Sequence, residues 1–175
     1  LPHAEVTDRK FRKGDMIVVD LTLRHAGYIA DATRTFVLGS ATAEMKKVYS
    51  IVQESQKAGL AAAKAGITCG KVDSACRDLI VDRGYEKLFI HSTGHGIGLD
   101  VHEPPWLRMK NSEVLQSNMA VTVEPGPLTI IELKLPPAAL LAIMPPIVAR
   151  LAVEMSGAKR IPSGARCAAS WSIPV

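Results

Sequence analysis

His91-Ser92-Thr93-Gly94-His95-Gly96-Ile97-Gly98-Leu99-Asp100-Val101-His102-Glu103 holds three of the protein's five histidines, with glycines alternating at 94, 96 and 98. Glycine on both sides of His95 removes the side chains that would crowd whatever the imidazole faces. A single histidine is more often a satisfied structural residue than a ligand. Three of them in a glycine-softened run, with acidic residues elsewhere in the chain, point to a metal or acid–base site.

Upstream, Met16 to Leu23 and Tyr28 to Leu38 are apolar, β-branched runs around a short connection, Arg24-His25-Ala26-Gly27, and predict an antiparallel hairpin. A loop centred between His25 and Ala26 pairs residues whose numbers sum to 51, which sets Asp20 directly opposite Asp31. Like charges facing each other across a pair are destabilising, and mutual repulsion raises the pKa of one of them. A divalent cation between the two removes the conflict. An asymmetric loop, with both aspartates simply solvated, is the alternative.

Thr42 to Gly66 has helical spacing at Met45, Val48 and Val52, with Thr42 as a cap and Gly66 as a stop. A second helix is expected from about Lys71 to Arg83, with Val72, Ala75, Leu79 and Ile80 inward and Gly84 ending it. Both helices read as packing, without a site. Pro104-Pro105-Trp106 predicts an irregular segment, with Trp106 either core or the wall of a pocket. Met119 to Glu124 alternates as a strand that stops at Pro125-Gly126, so Glu124 sits at a strand end from which it can point into a site.

After Gly126 the character changes. Residues 127–175 contain no Asp, His, Tyr or Phe but hold seven of the eleven prolines, and show no sustained periodicity beyond a short helix predicted around Ile147 to Glu154. At 175 residues the chain is one domain, or one domain with an appendage. Its hydrophobic content of 47% and charged content of 22% are ordinary for a globular protein. The net charge of +4 is concentrated in the tail, where five Lys/Arg against two Glu leave only +1 for residues 1–126. No basic cluster interleaved with aromatics is present, so no nucleic-acid partner is expected. The run Leu135 to Ala149 is too short and too proline-broken for a membrane span. Cys69, Cys76 and Cys167 have neither metal-like nor redox-like spacing. With no signal-peptide pattern, they lead us to expect a reduced, cytoplasmic setting.

Three segments together resemble the metallopeptidase family of methionine aminopeptidases, Xaa-Pro aminopeptidases and Xaa-Pro dipeptidases (prolidases). They are Val18-Val19-Asp20-Leu21 with Gly27-Tyr-Ile-Ala-Asp31-Ala-Thr-Arg-Thr-Phe36, Gly94 to Glu103, and Thr122-Val-Glu124-Pro-Gly126. Their wording is closer to the Xaa-Pro branch. The resemblance implies an α+β pita-bread fold and an exopeptidase that hydrolyses Xaa-Pro bonds with water activated between two divalent ions. By motif, Asp20 would chelate one ion, Asp31 would bridge, and His95 and Glu124 would bind the second. Mn²⁺, Co²⁺, Zn²⁺ and Fe²⁺ all suit such ligands. His102 and His91 match active-site histidines of that branch, and His3 an upstream substrate-binding histidine. The implied partner is a peptide with proline in second position. His25 has no such role and reads as a solvated turn residue.

The resemblance covers residues 1–126. Residues 127–175 read as a non-family tail, an out-of-frame translation or a fusion, in which neither Glu132 nor Glu154 stands in the context of the family's fifth ligand, a second Glu. The fold is therefore expected to be truncated at the N-terminus, where the family has a leading helical layer and strand, and atypical at the C-terminus. Losing the fifth ligand would impair activity, leaving one ion or none at the site. Exposed sheet edges would favour homo-oligomers. The competing readings are a non-catalytic pita-bread module that binds peptides or proteins, and an inactive fragment.

Overall fold

A computed structural model describes residues 7–126 and the backbone of two short strands at 142–143 and 151–152. His3 and almost all of the tail, including Glu132 and Glu154, lie outside the described residues.

The chain opens with the predicted hairpin, β1 (Met16–His25) and β2 (Tyr28–Val37). Its register differs from the sequence expectation. His25 pairs with Tyr28 across a two-residue turn, Ala26-Gly27, and Asp20 faces Thr33 while Asp31 faces Thr22. Ala26 and Gly27 both have positive φ, 49° and 88°, the turn geometry whose twist matches that of paired strands. The turn therefore lies one residue later than expected, and every pairing shifts by two. Because side chains alternate with period two, that shift leaves Asp20 and Asp31 on one face as diagonal neighbours rather than directly opposite. The other face of the hairpin carries Leu21, Leu23 and Tyr28, all exposed.

Helix α1 (Ala43–Ala62) is capped by the Thr42 hydroxyl, which accepts from the Met45 N–H at 3.1 Å. It ends at Ala62, before the expected Gly66 stop, and Gly66 instead turns the chain that follows. Its buried stripe runs Met45, Val48, Tyr49, Ile51, Val52, Ser55, Gln56 and Gly59, the spacing of one helical face. Gly59 lies where α2 (Cys69–Asp82) crosses, and a Cβ there would collide with the Cys76 sulfur. Helix α2 starts two residues before the expected Lys71 and ends one before Arg83. Its buried residues are Cys69, Val72, Asp73, Cys76 and Ile80. Ala75 and Leu79 are half-buried, and Asp73 is buried where the pattern named only apolar residues.

A 3₁₀ turn (Glu86–Leu88) leads to the second sheet, ordered β4-β3-β5-β7, with β3 (Gly94–Gly96), β4 (Glu103–Leu107), β5 (Ala120–Val121) and, after β6 (Ala142–Ile143), β7 (Leu151–Ala152). β6 extends the hairpin sheet by pairing with β2. The segment Pro104-Pro105-Trp106, expected to be irregular, is the middle of β4. As the edge of the described sheet it tolerates residues that donate no ladder hydrogen bond. Leu151 and Ala152 pair with β5 where a short helix was expected.

Val72, Cys76, Leu107, Leu115, Val121 and Val123 form the core between α2 and this sheet. Buried polar groups in it are paired: Ser55 donates to the Cys76 carbonyl at 2.8 Å and Gln56 to the Val123 carbonyl at 3.0 Å. Cys69 and Cys76 are free and buried, and burial pushes the Cys76 thiol up to about 12. Both are packing groups. No helix among the described residues is long and apolar enough to cross a membrane.

Candidate metal centre

The site is assembled where β3 lies between β4 and the 120–124 segment. The Thr122 N–H donates to the His95 carbonyl at 2.8 Å, and the Glu124 N–H to the Thr93 carbonyl at 2.7 Å. Strand-like pairing thus continues past the two residues of β5 and brings Glu124 beside His95. The glycines flanking His95 make this approach sterically feasible. A Cβ on Gly94 would collide with the Thr122 carbonyl, and one on Gly96 with the Pro104 carbonyl. Space for neighbouring backbone, rather than for a ligand over the imidazole, is what these glycines provide. The hairpin is tied to the same region by the Ile29 N–H, which donates to the Gly98 carbonyl at 2.8 Å.

Among the described residues, Asp31, His95 and Glu124 form a group whose ligand atoms all lie within 4.8 Å of one another. His95 Nδ1 is 2.9 Å from the Gly96 carbonyl oxygen, to which its N–H donates. That bond turns Nε2 toward the carboxylates, 3.0 Å from Glu124 and 3.9 Å from Asp31. A ring whose Nδ1–H is committed to a carbonyl offers its Nε2 lone pair to a metal. Thr122 orients the second ligand, its hydroxyl donating to Glu124 Oε1 at 2.6 Å while accepting from the His95 N–H at 3.0 Å. One imidazole and two carboxylates converging on one point is a donor set that fits a divalent cation.

The electrostatics agree. The Asp31 carboxyl is pushed up to about 6, first by burial and then by the negative charges of Asp20 and Glu124. Burial alone would lower His95, but its bonds to Glu124 and Gly96 and the charge of Asp31 outweigh this and raise it. Burial would raise Glu124, yet the bonds from His95 and Thr122 hold it below the usual carboxylate range. A cation binding here displaces protons from Asp31 and His95, so its affinity rises with pH through about 6, where Asp31 titrates, and on above the ordinary histidine value from which His95 is raised. Calorimetric titration with Mn²⁺ should give an affinity at pH 7.5 more than about tenfold that at pH 5.5. Equal affinities would show that neither group is a ligand.

The other sequence candidates are placed as follows. Asp20 lies outside the tight group; its carboxylate accepts from the Thr33 hydroxyl at 3.0 Å, on the face it shares with Asp31. The exposed His102 ring stands edge-on to His95, centroids 4.4 Å apart. His91 is half-buried, its ring nitrogens 2.7 Å from the Ser92 and 2.9 Å from the Gly126 carbonyl oxygens. Trp106 pairs across the sheet with His95, ring centroids 6.2 Å apart. It also lines an open groove of about 420 Å³ with His91, Ser92, Arg108 and Met109. Sequence reasoning missed Thr122, Thr93, Asp73 and Arg77. The i, i+4 spacing of Asp73 and Arg77 was the available signal for the last two.

Residues 1–150 match the model of metallopeptidase family M24. An Xaa-Pro dipeptidase of Pyrococcus furiosus is 42% identical over 126 residues, which are 72% of this chain and 36% of that protein. The solved prolidase of Thermococcus sibiricus is similar with a TM-score of 0.69 and 43% identity, over 71% of this chain and 34% of that one. The X-Pro aminopeptidase of Thermotoga maritima gives 0.69 and 44%, over 71% and 36%. The chain spans about a third of the length of these relatives. Its fold is of the pita-bread type, its relatives lie in the Xaa-Pro branch, and the family uses divalent metals. The convergent carboxylates and imidazole, the glycine-flanked strand that carries His95 and these likenesses have one conclusion: the chain belongs to metallopeptidase family M24.

Proposed function

We propose that this chain is a metal-dependent exopeptidase acting on Xaa-Pro bonds, with Asp20, Asp31, His95 and Glu124 as ligands. The observation that carries the reading is the convergence of Asp31, His95 and Glu124, with His95 Nε2 turned toward both carboxylates by the bond at Nδ1. Divalent ions bound there supply a Lewis acid for the scissile carbonyl and acidify water. Asp31 and Glu124 provide the negative charge that retains such ions, and Asp20, diagonal to Asp31, extends the set toward a second position. His102 is assigned to donate to the substrate carbonyl as charge builds on it, a role that its edge-on contact with His95 supports. His91 lines the adjoining groove, where Trp106 offers an apolar wall to a proline ring.

His3 is assigned to substrate binding by its motif alone. The metal is assigned as one of Mn²⁺, Co²⁺, Zn²⁺ and Fe²⁺, the location as cytoplasm, and the assembly as a homo-oligomer. Residues 127–175 are assigned from their composition as a tail foreign to the family, although the family model reaches residue 150, with activity lowered by loss of the fifth carboxylate. The retained ligand geometry favours an enzyme over a purely peptide-binding module, which has no chemical use for it.

Hydrolysis of Ala-Pro, with Ala-Ala as control, tests the activity after equilibration with Mn²⁺ or Co²⁺. Metal-stimulated release of proline is the expected result. A chain that binds the metal yet cleaves neither dipeptide would contradict the enzyme reading and favour the binding module.

A further inference from the structure

We propose that Arg77, held by Asp73, is a positioning residue for His91, an inference that rests on the assignment of His91 to the active site. The pair is buried: the Asp73 side chain is fully enclosed and that of Arg77 is 13% exposed. Arg77 donates through Nε and Nη2 to the two Asp73 carboxylate oxygens at 2.8 and 2.9 Å, a bidentate fork within α2. Its remaining capacity leaves the helix. Nη1 donates to the Phe89 carbonyl and Nη2 to the His91 carbonyl, each at 2.8 Å. The guanidinium also lies 4.0 Å from the centre of the Phe89 ring, which in turn stands edge-on to the His91 ring with centroids 5.0 Å apart.

One side chain therefore fixes both the backbone of His91 and the aromatic ring beside its imidazole. Asp73 does the same one step along, its Oδ1 accepting from the Thr93 hydroxyl at 2.8 Å. Helix α2 is thus coupled to the segment that enters β3. A pair that served only to join helix and loop would have no need to grip His91's own carbonyl and flank its ring.

Arg77→Lys keeps a cation for Asp73 but lacks the planar fork that reaches Phe89 and His91 at once. The test compares the full chain and this variant, with isotope-labelled histidine, by the ring resonances at a single pH, and by kcat and KM on Ala-Pro with Mn²⁺. Arg83→Lys, at the exposed pair with Glu54, is the control. Arg77→Lys is expected to move the His91 ring signals and leave those of His25 in place. It should lower kcat about 10- to 100-fold with KM changed by less than about threefold. Arg83→Lys should do none of this.

Lowered thermal stability with His91 signals at their original positions would overturn the proposal, reducing the pair to an anchor. Should Arg77→Lys fail to fold, Phe89→Leu removes only the intervening ring and is judged by the same signals. If the unmodified chain binds Mn²⁺ but cleaves no Ala-Pro, the enzyme assignment fails, and the ring signals alone decide this inference.

Discussion

Replacing His95 by Ala is expected to lower divalent-metal affinity by more than about a hundredfold and to abolish any metal-stimulated hydrolysis. Losing an outer partner of a metal ligand costs about 10- to 100-fold in affinity, and His95 is itself the ligand placed between Asp31 and Glu124. Its removal has a second effect. Without the imidazole, Asp31, Asp20 and Glu124 face one another with no positive group between them, so protons compete more strongly for the carboxylates. The variant should still fold, because the strand around residue 95 is held by backbone bonds and by Thr122 rather than by the ring. Calorimetry with Mn²⁺, alongside circular dichroism to verify the fold, checks both statements. Unchanged affinity would remove His95 from the site.

Gly94→Ala is expected to cost about 3 kcal/mol or more of stability, the range reached when a backbone approach is forced apart. The added Cβ meets the Thr122 carbonyl, which is main chain and has no rotamer by which to retreat. Thr122 carries three bonds that build the site: its N–H to the His95 carbonyl, its hydroxyl from the His95 N–H, and its hydroxyl to Glu124. Displacing it separates the two ligands as well as the strands. Urea denaturation of the metal-free protein should show a lower midpoint with a similar slope, and calorimetry should show weakened Mn²⁺ binding. Stability equal to the unmodified chain would mean that β3 and the 120–124 segment do not approach as described.

Much of this was legible in the residues because the ligands stand in short segments with strong local signals. The hairpin followed from β-branched runs around a glycine, and α1 from its apolar period and Thr42. The register was displaced because the turn is set by two positive-φ residues, Ala26 and Gly27, and alanine gives little sign of that conformation. The error was even, so the aspartates kept a common face. The role of the glycines at 94 and 96 was read from the wrong neighbour, since only the folded chain shows which backbone passes behind them. Pro104 and Pro105 argued against a strand on local grounds, and the edge position of β4 overrode them. Asp73 and Arg77 were not singled out on α2 because their partners, Phe89, His91 and Thr93, come from a segment with no periodicity to connect it to that helix.

The most direct test of the metal centre is stoichiometry, by elemental analysis of the full chain and of His95→Ala after equilibration with Mn²⁺ and removal of excess. The full chain is expected to retain about one ion or more per molecule and the variant essentially none. A full chain that keeps no metal, or a variant that keeps as much, would contradict the claim that Asp31, His95 and Glu124 form a metal centre.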